Sequence, residues 1–215
     1  MIHSLMSKTL INILFLGLLI ALSELPDFDE FKWEGLEEGN IRVEYYDLGD
    51  ITWCKSSTIA NYSIQEISRF LEDKANYPNI FDRITETILY TDDIVHIKLD
   101  MPFPFSGRDY IVRYTEVSND ISKEYRWLHY DDFNIPVEKG YVRLPRAAGK
   151  WKLTEIGNRR TKIEYIWNGE LLGDFPSWAM SRAWKEQGVE VLSWLIEYIE
   201  HSESIRVAPD SGDSK

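Results

Sequence analysis

A single cysteine stands in the 215 residues, so no disulfide can form within the chain. The four histidines, His3, His96, His129 and His201, show no metal-ligand spacing, and there is no His-Glu-x-x-His, P-loop, Gly-x-Ser-x-Gly or Cys-x-x-Cys pattern. Basic residues are also scarce: 24 Lys and Arg face 36 Asp and Glu, a net charge of −12. That balance excludes the cationic surface that nucleic-acid phosphates require, and it opposes adsorption of the whole surface to anionic headgroups. Cys54 falls in an expected strand, where a buried inert thiol fits better than a nucleophile. No catalytic residue, metal or cofactor follows from these patterns.

Long apolar runs are confined to one place, Thr9–Leu22, with His3 and Lys8 before it and Ala21-Leu22-Ser23 after it. The run is shorter than the roughly 20 residues of a membrane span, and its flanks suit a signal peptide over 1–23, cleaved before Glu24. The expectation is export to the periplasm or beyond, or membrane anchoring if the segment is retained. No lipobox cysteine follows it.

Aromatic residues, by contrast, are plentiful at 13%, with eight tryptophans, within a hydrophobic share of 44%. A load of that size suits a large core or an apolar cavity inside one domain, placed at 24–201, with a polar and disordered tail over 202–215. Two strands, Ile41–Leu48 and Ile51–Tyr62, are expected around a Gly49-Asp50 turn. Ser63 and Glu66 form a capping box that opens a helix, its stripe made by Ile64, Ile67, Phe70 and Leu71, and Tyr77-Pro78-Asn79 ends it. Further strands are expected at 84–90, 94–99, 110–117, 124–130, 140–144, 150–156 and 161–167, separated by polar turns. Period 3.6 then takes over from Gly173-Asp174-Phe175-Pro176, with Asp174 or Ser177 as cap and Gly188 marking a bend, up to about Glu200. This order gives an α+β fold in which a long antiparallel sheet curls round one amphipathic helix.

Three segments carry a family resemblance. Pro102-Phe103-Pro104-Phe105-Ser106-Gly107-Arg108-Asp109-Tyr110 resembles the Pro-x-Pro-x-x-x-Arg-Asp-aromatic segment of START domains, especially phosphatidylcholine-transfer-like members. Gly140-Tyr141-Val142-Arg143 is similar to their Gly-x-x-Arg strand. Gly173-Asp174-Phe175-Pro176-Ser177-Trp178 is similar to the Gly-x-x-Pro-x-Trp that opens their terminal helix. The likeness covers roughly 33–199 and implies a helix-grip fold, a curved antiparallel sheet wrapped around the C-terminal helix, with an internal cavity for one lipid-like molecule. It implies no catalysis. Where the family often has a second cavity arginine, this chain has Tyr114, which can hydrogen-bond a hydroxyl or ester, while Arg113 falls on the opposite strand face.

The residues placed in the cavity are therefore Tyr114, Glu116, His96, Arg143, Tyr165 and Trp178, with Trp178 at its mouth. Arg108, Asp109, Gly173 and Pro176 are assigned to structure, the Arg-Asp pair pinning the Pro-rich turn to neighbouring backbone. The expected partner is a lipid or similar small molecule held by a monomer, with transient membrane contact for transfer and no nucleic acid. Two alternatives keep the same architecture: a polyketide cyclase-like or hydrolytic enzyme using His96, Glu116 or Tyr114, and an interaction module with a closed core.

Overall fold

The computed structural model describes residues 24–207 apart from 174. The expected signal segment, Asp174 as a cap and the tail from 208 onward lie outside the described residues. Of the described residues, those up to Phe31 belong to one unit and those from Lys32 onward to another. In the first, Asp27 caps a single 3₁₀ turn, Phe28–Glu30.

The second unit begins with strands β1 (Glu34–Glu37), β2 (Arg42–Leu48) and β3 (Ile51–Ala60). Gly49, at φ 65°, makes the turn between β2 and β3. Helix α1 (Ile64–Glu72) starts as its sequence dictates: Ser63 Oγ accepts from the Glu66 amide at 3.3 Å, and the Glu66 carboxylate accepts from the Ser63 amide at 2.7 Å. A short helix α2 (Tyr77–Ile80) follows, then β4 (Ile84–Leu89), β5 (Ile94–Leu99), β6 (Gly107–Ser118), β7 (Ser122–His129), β8 (Tyr141–Arg143), β9 (Ala148–Glu155) and β10 (Thr161–Asn168). The last element is α3 (Met180–Val207).

Nine strands form one antiparallel sheet in the order β1-β2-β3-β10-β9-β7-β6-β5-β4, and β8 adds to β6 in parallel. The sheet curves around α3, whose Trp184, Leu192, Leu195 and Ile199 are buried against it. Gly188 allows this approach, because a Cβ there would lie 2.9 Å from both methyls of Val43 and 3.1 Å from the Trp167 ring. The glycine lets a continuous helix pack closely, so no bend is needed to explain it.

Four expectations shift. Tyr77-Pro78-Asn79 begins α2, with Pro78 in its first turn, and α1 stops earlier at Glu72. Strand β1, whose Glu-Gly-Leu-Glu has little β character, was not anticipated; it exists because β2 offers it an edge to pair with. The terminal helix starts at Met180 after a 3₁₀ turn, Ser177–Ala179, that follows Pro176. It also takes in Ser202–Val207, which the sequence had assigned to the disordered tail.

Candidate ligand cavity

Strand parity builds the cavity. On β5 the inward residues include Ile97 and Leu99, and on β6 Tyr110 and Tyr114. Cross-strand register then sets two rows over the concave face. Tyr114 pairs with Trp127, Trp127 with Gly149, and Gly149 with Trp167; in the next row Trp151 pairs with Tyr165. Gly149 leaves the space that the Trp127 ring occupies, since a Cβ there would lie 2.4 Å from that ring. Tyr165 stacks on Trp167 and Trp127 at centroid distances of 4.7 and 5.8 Å and meets Trp151 at a tilt at 4.5 Å. Phe81, Val191 and Trp194 contribute to the facing walls.

These residues enclose a cavity of about 350 Å³ between sheet and helix. Its rim is formed by the β5–β6 loop, which contains the Pro-rich motif, and by the segment leading into α3. The two rims meet where the rings of Phe105 and Phe175 lie 4.7 Å apart. Beside them Trp178 is 85% exposed, and Phe103, at the tip of the β5–β6 loop, is 97% exposed.

The polar groups inside are uncharged, chiefly tyrosine hydroxyls together with the side-chain amides of Asn168 and Gln187. Tyr77, Tyr110, Tyr114 and Tyr165 all border the cavity, and burial pushes each phenol well above its ordinary pKa, with the neighbouring tyrosines adding to the rise for Tyr77, Tyr114 and Tyr165. They are neutral hydrogen-bonding groups at any physiological pH. The Tyr77 hydroxyl donates to the Leu71 carbonyl at 2.7 Å. Charged side chains occur toward the rim, and each arginine there is held by a carboxylate. Glu190 takes two hydrogen bonds from Arg83 at 2.7 and 2.8 Å. Arg146 donates to Glu170 at 3.2 Å and to Asp50 at 2.7 Å, and Arg182 to Glu186 at 2.7 Å.

Of the six residues placed in the cavity by sequence, Tyr114, Tyr165 and Trp178 border it. The other three lie elsewhere. His96 alternates with the inward Ile97 and therefore faces the outer side of the sheet, 2% exposed, with Nε2 2.8 Å from Asp109 Oδ2. Arg143 reaches the same oxygen from β8 at 2.6 Å and donates to the Ile135 carbonyl at 3.4 Å. Glu116 has the inward parity of Tyr114 but sits past the cavity, paired with Lys123 at 3.0 Å. Burial raises the Asp109 carboxyl pKa, but Arg143 and His96 outweigh this and hold it below the ordinary carboxylate range.

Arg108 is 1% exposed and ties the two rim segments together. It donates through Nε to Leu171 O at 2.6 Å, through Nη2 to Leu172 O at 2.9 Å, and through Nη1 to Ser106 O. Leu172 and Gly173 have φ values of 51° and 64°, so the guanidinium braces a tight left-handed turn just before α3. Sequence reading missed Tyr77, Tyr110, Trp127, Trp151, Trp167 and the Arg83–Glu190 pair. The alternation in Tyr110-x-x-x-Tyr114 and Tyr165-x-Trp167 carried part of that signal; Arg83 and Glu190, 107 residues apart, carried none.

No family model matches the chain. A curated uncharacterized protein of Pseudomonas aeruginosa is 37% identical over 87 residues, which span 40% of this chain and 43% of that protein. Among solved structures, a STAR-related lipid transfer protein from Xanthomonas axonopodis superposes with a TM-score of 0.68 at 19% identity, covering 78% of this chain and 98% of that one. Human STARD10 gives 0.72 at 12% identity, over 86% and 84%. The fold is that of the START domains. The Zhui aromatase/cyclase from Streptomyces sp. R1128 shares the START-like framework more loosely, with a TM-score of 0.51 at 15% identity over 70% and 94%.

Proposed function

We propose that the protein binds one hydrophobic, lipid-like molecule in this cavity and carries or transfers it without chemical change. The observation that carries the reading is the 350 Å³ space between sheet and helix, walled by aromatic rings in mutual contact. Binding is driven by burial of apolar ligand surface, worth about 25 cal/mol per Å². The tyrosine hydroxyls supply orientation. Phe103 and Trp178 are the groups we assign to transient insertion at a membrane surface, because both are exposed apolar side chains close to the mouth. Export through the N-terminal segment and a monomeric state complete the proposal.

A cyclase-like enzyme is the second reading, favoured by the likeness to the aromatase/cyclase framework. Its candidate acid–base groups His96 and Glu116 lie outside the cavity, and Tyr114 is held protonated by burial. That placement supports the binding reading. Native mass spectrometry of the purified protein against a denatured control should reveal a bound apolar molecule. Vesicle assays should show transfer of such a molecule from donor to acceptor. Failure of both would sink the proposal.

A further inference from the structure

The cavity contains hydroxyls where a charged headgroup would need an ionic partner. Inside stand Tyr110, Tyr114 and Tyr165, and the Tyr110 hydroxyl has no protein partner among the described residues. Arg83 and Arg146 are the cations best placed to meet an anion at the inner rim, and both are committed. Arg83 is matched fork to fork by Glu190, and Arg146 is shared by Glu170 and Asp50. A phosphate or carboxylate entering here would have to break one of these pairs or remain unpaired in an apolar space, and both are unfavourable. Size points the same way. About 350 Å³ lies at the low end of the roughly 300–1,000 Å³ of small-molecule cavities, which suits one compact molecule better than a two-chain phospholipid. The flat aromatic wall of Trp127, Trp151, Tyr165 and Trp167 favours a ring or a single chain laid against it.

Resting on the binding reading above, we propose that the ligand is a compact, uncharged molecule bearing a hydroxyl or carbonyl. The tyrosine hydroxyls are its recognition groups, and the Arg83–Glu190 pair is a specificity determinant that rejects anionic headgroups.

The test compares two probes of equal chain length, 1-dodecanol and dodecanoate, titrated at pH 8 into the full chain and followed by tryptophan fluorescence. Dodecanol should bind at least tenfold more tightly. A Tyr114→Phe/Tyr165→Phe double variant should weaken dodecanol several-fold. Glu190→Gln, which leaves the Arg83 guanidinium without its carboxylate, should raise dodecanoate affinity about tenfold relative to that of dodecanol. Thermal denaturation of each variant identifies any loss that comes from unfolding. Should dodecanoate bind the unaltered protein as tightly as dodecanol, charge rejection is overturned while the cavity reading stands. If neither probe binds and no apolar molecule co-purifies, the cavity reading fails, and this inference fails with it.

Discussion

On the inner side of β5, β6, β7 and β9, Ile97, Tyr110, Tyr114, Trp127 and Trp151 line the cavity, and the polar groups they carry are uncharged. On the outer side of the same strands, His96, Lys98, Asp109 and Glu124 are buried among ionic partners. Lys98 bonds to Glu86 at 2.6 Å and also to Glu138, while Glu124 takes Arg126 at 2.7 Å and Lys150 at 3.2 Å. The period of two along a strand thus separates a binding face from a bracing face with no change of element. Charge is placed where it fastens the connection between β7 and β8, through Ile135, Glu138 and Arg143, and is paired away where a ligand would sit. A one-residue slip in β5 or β6 would exchange the two chemistries, which is why their register is so strongly specified.

The strongest way to break the outer face is Asp109→Ala. The substitution leaves Arg143 and His96 facing no carboxylate in a site where Asp109 is 1% exposed. Breaking a buried pair in this manner costs about 3–5 kcal/mol. The urea midpoint should fall accordingly, and a loss below 1 kcal/mol would show that the cluster braces nothing. On the inner face the equivalent test is Gly149→Ala, whose new methyl would lie 2.2 Å from the Ile166 carbonyl and 2.4 Å from the Trp127 ring. Overpacking of that kind costs about 1–3 kcal/mol. Here the displaced Trp127 should also change ligand affinity, whereas Asp109→Ala, in molecules that remain folded, should not.

Much of this division was legible in the sequence, because strand parity is a sequence property. The alternation along Tyr110–Val117 separated Tyr114 from Arg113, and Arg113 indeed stands outside, 3.3 Å from Asp93 and over the Tyr130 ring. The Ser63–Glu66 box fixed the start of α1 because its two hydrogen bonds are local. His96 was misplaced because parity alone does not say which of a strand's two faces turns inward when both are apolar-rich. In β5 every residue from Ile94 to Lys98 is buried, so burial on both sides erases the usual polar–apolar signal. Glu116 was misplaced for a different reason: its face was inward, but parity does not say how far along a strand the cavity extends, and Glu116 lies beyond it, paired with Lys123. Arg143 could be recognised as needing a partner, and only the parallel pairing of β8 with β6 reveals that the partner is Asp109.

Acidification should act first at the end of β7. His129 packs near Arg143, and burial lowers its pKa, with Arg143 lowering it further and Asp131 opposing. The folded state therefore favours the neutral ring. Its stabilising contribution is complete above the unfolded value of about 6.5 and is lost as pH falls through the lower folded value. Asp109 has the same sign in a lower window, its contribution present above about 3.9 and lost below the depressed folded value. Urea midpoints measured from pH 7.5 to pH 5 should decline, and His129→Phe should flatten that part of the curve. Rising stability over the same interval would contradict the assignment.

The smallest effect on stability is expected at the rim, where the two faces no longer compete. Trp178 is 85% exposed, so Trp178→Ser removes little packing and should alter the denaturation midpoint by no more than about 0.5 kcal/mol. Its cost should appear elsewhere. A side chain of that size left in water at the mouth of an apolar cavity gains free energy when it enters a bilayer interface, where indole rings are favoured. Transfer between vesicles should slow in Trp178→Ser while equilibrium binding of dodecanol in solution stays constant. Equal transfer rates for the variant and the unaltered protein would remove Trp178 from membrane engagement and leave the cavity behind it intact as a binding site. A parallel loss of transfer and of solution binding would place Trp178 in the ligand's own wall, extending the inner face outward to the 3₁₀ turn before α3.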